Sequence, residues 1–231
     1  MSVVKRIVCL ANSVKIGGSC IAGREILANG EYGGWIRPVS ARPTAELSFL
    51  EPLYEDNASP QLLDIIDVPL QRAVPHNHQT ENYEIDATKR WLKKGRLPWG
   101  ELGKLCEHPT SLWINSDHTG SGRFDCISQS EAAMLKNSLM LLRSKDFTVE
   151  VSSKTWDGKT KKTYRGNFDY NGTYHSVSLT DPVATSAFAS RGAGKYQLND
   201  VYLCVSLTEP WEKDNNRCYK LVASIISNPP L

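Results

Sequence analysis

The chain carries none of the short motifs that mark common enzyme sites. It has no G-x-x-x-x-G-K-[ST] phosphate loop, no G-x-S-x-G elbow and no H-E-x-x-H zinc signature, and GGSCIAG (17–23) spaces its glycines wrongly for a dinucleotide fingerprint. It also lacks any apolar run of ~18 residues, which excludes a membrane-spanning helix. The start, MSVVKRIVCLANS, has a basic pair but too short an apolar stretch for a secretory signal. The expectation is a cytoplasmic protein with no membrane contact. There is no CxxC pair: Cys9, Cys20, Cys106, Cys126, Cys204 and Cys218 lie far apart, mostly in alternating apolar segments. Such cysteines read as buried thiols in a reducing compartment. His76 and His78 have Cys106 and His108 as their nearest candidate partners about thirty residues on, which fits no zinc spacing. No metal and no cofactor is expected.

A charge excess is missing as well. The 27 basic and 25 acidic residues leave a net charge of +2, so no chain-wide basic footprint announces nucleic acid. A groove can still be locally positive in a nearly neutral protein. The local maxima are Lys89, Arg90, Lys93, Lys94 and Arg96, then Lys154, Lys159, Lys161, Lys162 and Arg165; the default reading of both is a solvated face.

What the chain does have is strands. Period-2 alternation places them at 3–15, 19–26 and 35–39, joined by glycine turns. A fourth spans 62–74, where Pro69 predicts an edge or a bulge because proline cannot donate to a ladder. A fifth is NYEI (82–85), after which Asp86 is expected to cap a helix through Lys94 with Gly95 as its stop. Residues 1–95 thus read as one barrel with a helix. The stretch 96–145 reads as a connecting insert rich in glycine and proline, ending in an amphipathic helix. Ser128 and Glu131 form its capping box, and Ala132, Leu135, Leu139 and Leu142 recur at helical spacing to Arg143. Residues 146–231 repeat the strand count at 147–154, 163–170, 173–180, 201–207 and 218–226. Asn171-Gly172 and Asp157-Gly158 are hairpin turns, and 181–200 is a loop or short helix. The fold class is mainly β: two tandem five-stranded OB-like Greek-key barrels with a few peripheral helices.

The segments LANSVKIGGSCIAG, GGWIRPVS, SVSLTDP, YLCVSLTEPW and CYKLVASII resemble the prokaryotic family of dual OB-containing proteins. The likeness covers most of the chain but not 96–145. It implies tandem OB folds and a presumed role in binding nucleic acid or nucleotides.

Polar clusters at strand ends are the candidate ligand-binding residues. In the first half these are Asn12, Ser13 and Lys15 on one strand and Trp35, Arg37 and Ser40 on another. A cation, amide donors and an aromatic plane would suit a phosphate and a base. The alternative makes Trp35 core, pairs Arg37 with Glu31 or Glu46, and has Asn12 cap a turn. In the second half Ser178, Thr180 and Asp181 could join Arg165 and Lys220, although Thr180-Asp181-Pro182 and Thr208-Glu209-Pro210 are also ordinary turn chemistry. No catalytic residue is assigned. Asp64 and Asp67, three apart on one strand, point to opposite faces and cannot share an ion without a bulge. The expectation is a non-enzymatic nucleic-acid or nucleotide-binding module, an accessory or sensor component of a bacterial DNA-processing or defence system, with single-stranded nucleic acid or a nucleotide as partner. The alternatives are a protein-interaction adaptor and a small enzyme using Asp181 or a cysteine.

Overall fold

The computed structural model describes residues 2–15, 17–156 and 159–231, without the side chains of Lys15, Trp156 and Lys159. The chain divides into two compact units, Met1–Leu105 with Lys136–Ser138, and Cys106–Leu135 with Leu139–Leu231.

The first unit contains β1 (Val3–Lys15), β2 (Gly18–Ile26), β3 (Tyr32–Val39), β4 (Asp64–Ala73), β5 (Asn82–Ile85) and β6 (Leu92–Arg96). The order β1-β2-β3-β5-β4 is closed by β4 pairing back onto β1, and β3–β5 is the parallel contact in that circuit. This is the Greek-key barrel of an OB fold, with β6 added against β4. Inward residues fill it, among them Ile7, Cys9, Ile21, Ile36, Ile66, Val68 and Trp91. β1 and β2 press together beside a bulge at Cys9/Ala11, and a Cβ on Gly23 would lie 2.0 Å from the Val8 carbonyl oxygen, so only glycine fits there.

Two expectations are corrected here. Residues 86–94 are not a helix. The Asp86 carboxylate folds onto Thr88, accepting from its backbone N (3.2 Å) and Oγ1 (2.6 Å), and the chain then runs out as β6. The strand carries Lys93 to 2.7 Å and Arg96 to 3.6 Å from Asp64, a fully buried carboxylate that needs cations. Of the two readings of Pro69, the edge is corrected, since β4 has partners on both sides, and the bulge is present as a register shift at Leu70/Arg72, where the Pro69 carbonyl accepts from Asp86 N at 3.0 Å. A 3-10 helix at Trp99–Leu105 then buries Leu102 and Leu105.

The second unit contains β7 (Cys126–Ile127), α1 (Gln129–Ala132), β8 (Leu139–Trp156), β9 (Lys159–Tyr170), β10 (Thr173–Leu179), α2 (Pro182–Ala187), β11 (Gly194–Leu207) and β12 (Cys218–Ile226). Its order β10-β9-β8-β11-β12, closed by a parallel β10–β12 contact, traces the same circuit. Phe147, Val149, Phe168, Val177, Val205 and Val222 form its core. Gly166 makes room for Phe147, whose Cζ would lie 2.7 Å from an added Cβ. Asn171 (φ 47°) and Gly172 (φ 77°) make the expected turn between β9 and β10. The Asp157-Gly158 turn lies outside the described residues.

The capping box at Ser128 and Glu131 is present, but α1 lasts only four residues. The expected continuation to Arg143 is a strand, because Leu139, Met140, Leu141 and Leu142 are all buried and pair with β11. An apolar run buried on both faces has no period that separates helix from strand. Among the described residues, no helix is long and apolar enough to cross a membrane.

Candidate functional site

In the first unit the predicted residues have separate partners. Asn12 donates from Nδ2 to the Pro60 carbonyl at 2.9 Å, and Ser13 is buried. The Lys15 side chain lies outside the described residues. β2 separates β1 from β3, where Trp35 is 8% exposed. Arg37 turns inward: Nη2 donates to Ser138 Oγ at 2.7 Å and lies 3.2 Å from Glu81 Oε1, while Ser138 also donates to Glu81. Its ion pair is thus with Glu81, where the sequence offered Glu31 or Glu46. Ser40 Oγ donates to Glu51 at 2.9 Å and accepts from Arg42 Nε at 3.3 Å. Sequence reading missed Glu81, Ser138, and the Tyr54 hydroxyl that donates to Asp64 at 2.9 Å; nothing in their local sequence separates them from surface polar residues.

In the second unit two of the predicted cations meet one segment. Arg165 Nη2 donates to Asp125 Oδ2 at 2.7 Å and its guanidinium also reaches Ser176. The Lys220 backbone N donates to the Asp125 carbonyl at 2.9 Å. The Lys220 ammonium, fully buried, donates to Ile114 O and Asn115 Oδ1, both at 2.8 Å. Burial lowers its pKa to about 8, against the opposing pull of Cys126, Asp125 and Glu131. Residues 123–127 fill the gap between β10 and β12, Arg123 pairing with Ser176 and Cys126 with Tyr219.

Thr180 and Asp181 tie β10 to β12 instead. Thr180 N donates to Val222 O at 2.9 Å, and the Asp181 carboxylate accepts from Val183 N, Ala184 N and Ile225 N. Asp181 thereby caps α2; burial raises its pKa while the backbone donors lower it. Ser178 is half-buried opposite Arg165. Next to this network His175 is fully buried, stacked on Phe168 at 5.5 Å and edge-on to Phe124. Burial first, then Lys220, lowers its pKa to about 4.

The exposed chemistry lies elsewhere. β11 leaves β8 where Gly194 faces Val151, and beyond that row β8 and β9 continue as a two-stranded ribbon. Ser152 and Thr163 share a hydroxyl hydrogen bond of 2.7 Å, and Thr155 and Thr160 one of 3.0 Å. Between these rungs the exposed Lys154 stands directly opposite the exposed Lys161. Lys162, on the other face, donates to the carbonyls of Ala189 and Arg191, each at 2.6 Å.

Cationic strands of this kind can take phosphate groups. The thiols are poorly placed for nucleophilic attack: burial pushes Cys9 and Cys126 up to about 12 and Cys218 to about 11. Among the described residues no three His, Cys, Asp or Glu side chains gather as metal ligands.

No curated protein matches the chain. The family model of the dual OB-containing domain matches residues 5–225, spanning both barrels and the segment between them. The chain therefore belongs to the dual OB-containing domain family.

Proposed function

We propose that this protein is a non-enzymatic binding module whose ligand is nucleic acid, single-stranded in preference, or a nucleotide. The observation that carries the reading is the OB circuit closed twice in one chain, a barrel whose faces and loops commonly receive oligonucleotides. The buried, protonated thiols of Cys9 and Cys126 favour binding over turnover. Such a module would serve as an accessory or sensor part of a bacterial DNA-processing or defence system.

The test is fluorescence anisotropy of the full chain at low salt with labelled single-stranded DNA, single-stranded RNA, duplex DNA and a nucleoside triphosphate. Saturable binding to a single strand is expected. Absence of binding to all four ligands overturns the reading. A protein-adaptor role draws support from the adjacent exposed Phe49 (56%) and Leu50 (72%). It predicts a stable protein complex on copurification and no oligonucleotide binding.

A further inference from the structure

The ligand face of an OB barrel spans its second and third strands and the loop between its fourth and fifth. In the second unit these are β9, β10 and residues 208–217. Gly166 faces the core ring of Phe147, so its neighbour Arg165 points outward onto that face. The chain covers the face itself. Residues 116–125 lie across it with two carboxylates, and each meets an arginine of the barrel. Asp125 Oδ2 accepts from Arg165 Nη2 at 2.7 Å, and Asp117 Oδ2 lies 3.1 Å from Nε of Arg217, which also reaches Asp214 at 3.6 Å. An oxyanion held by a guanidinium is the contact that a nucleic-acid phosphate makes.

The segment has fixed ends and a self-contained middle. The buried Lys220 ammonium holds Ile114 O and Asn115 Oδ1 at one end, and β7 pairs with β12 at the other. Between them Asp117 bridges back to Cys126, and Thr119 donates to Asp125 from N at 2.7 Å and from Oγ1 at 2.8 Å. Gly122 packs so closely that an added Cβ would strike both the Asp125 carboxylate and the Arg165 guanidinium. Closure also carries a cost. Phe124 holds a φ of 48°, an uncommon conformation for a bulky residue. It lies edge-on to the fully buried His175, whose ring nitrogens are reached by no hydrogen bond of ordinary geometry among the described residues. Lifting the segment relaxes the first and returns the second to water.

We infer that residues 116–125 are an autoinhibitory strap, seated on the ligand face of the second barrel with Asp117 and Asp125 in the places of two phosphates, and that a nucleic-acid strand binds this face by displacing it. This rests on the nucleic-acid reading above and adds its regulation. The phosphates of the incoming strand then take over Arg165 and Arg217, while Lys220 and β7 keep both ends of the strap attached.

The test uses the full chain, comparing wild type with Arg123→Cys/Ser176→Cys and with Asp117→Asn/Asp125→Asn, circular dichroism confirming each fold. Arg123 and Ser176 exchange both backbone hydrogen bonds, at 3.0 and 3.1 Å. Such an antiparallel pair sets its Cα atoms about 5.5 Å apart, within reach of a disulfide. Oxidation therefore locks the strap shut, and reduction frees it in the same molecule. Affinity for labelled oligothymidine is measured by fluorescence anisotropy at low salt. The oxidised cysteine pair should bind about tenfold more weakly than the same variant reduced, and the asparagine pair about tenfold more tightly than wild type, a coupling of ordinary size. Equal affinity of the oxidised and reduced forms, with wild type binding well, overturns the strap and leaves the nucleic-acid reading standing. Where the cysteine pair does not fold, the asparagine pair decides, and an affinity equal to that of wild type overturns the strap. Failure of wild type and the asparagine pair alike to bind overturns both.

Discussion

Arg165 and Asp125, 40 positions apart in sequence, form an ion pair of 2.7 Å that fastens residues 123–127 into the seam of the second barrel. Both side chains are largely hidden from solvent, at 14% and 3% exposure. Asp125 additionally accepts from Thr119 N and Oγ1. Asp125→Ala strands a buried guanidinium and releases the Thr119 turn. Urea denaturation should show a loss of about 3 kcal/mol, the order expected when one partner of a buried pair is removed.

Arg37 plays the corresponding part in the first unit. Arg37→Ala leaves Glu81 buried beside Ser138 without its cation and should cost about 3 kcal/mol. Oligonucleotide affinity per folded molecule should stay within twofold of wild type in an anisotropy titration. A large affinity loss with full stability would instead make Arg37 a ligand contact.

His175 sets an acid limit on stability. Its pKa is lowered from the ordinary 6.5 to about 4 by burial and by Lys220, so the unfolded chain binds more protons between those values. Stability is complete above pH 6.5 and falls as pH drops toward 4, by about 3 kcal/mol over the window. His175→Phe, placed between Phe168 and Phe124, should flatten this part of a pH–denaturation profile.

Asp181 is a cap with a second duty. Asp181→Ala removes acceptors for two N–H groups of α2 and for Ile225 N on β12. Thermal melting should report a loss of about 2 kcal/mol. Asp181→Asn, which keeps one carbonyl acceptor, should recover part of it.

Strand alternation made most of this fold legible. NYEI (82–85) and CYKLVASII (218–226) are strands at the bounds read from the sequence, and the cap at Ser128 is real. The failures share a cause. Leu135, Leu139 and Leu142 satisfy helical spacing by coincidence, because Leu139 and its successors are buried on both faces of a strand. Asp86 caps a turn as well as it would a helix, and only the buried Asp64 explains why Lys93 and Arg96 must arrive on a strand. The candidate cations were visible as residue types, but their commitments were not. Arg37 meets Ser138 across 101 positions and Lys220 meets Ile114 across 106, contacts that no local spacing encodes.

The most direct test is the affinity of the full chain for a short single-stranded oligonucleotide as ionic strength rises. The account predicts saturable binding at low salt and a linear fall of log affinity with log salt, each phosphate contact on a single strand adding ~0.7 to the steepness of the slope. A flat response, or no binding at the lowest salt, would contradict it.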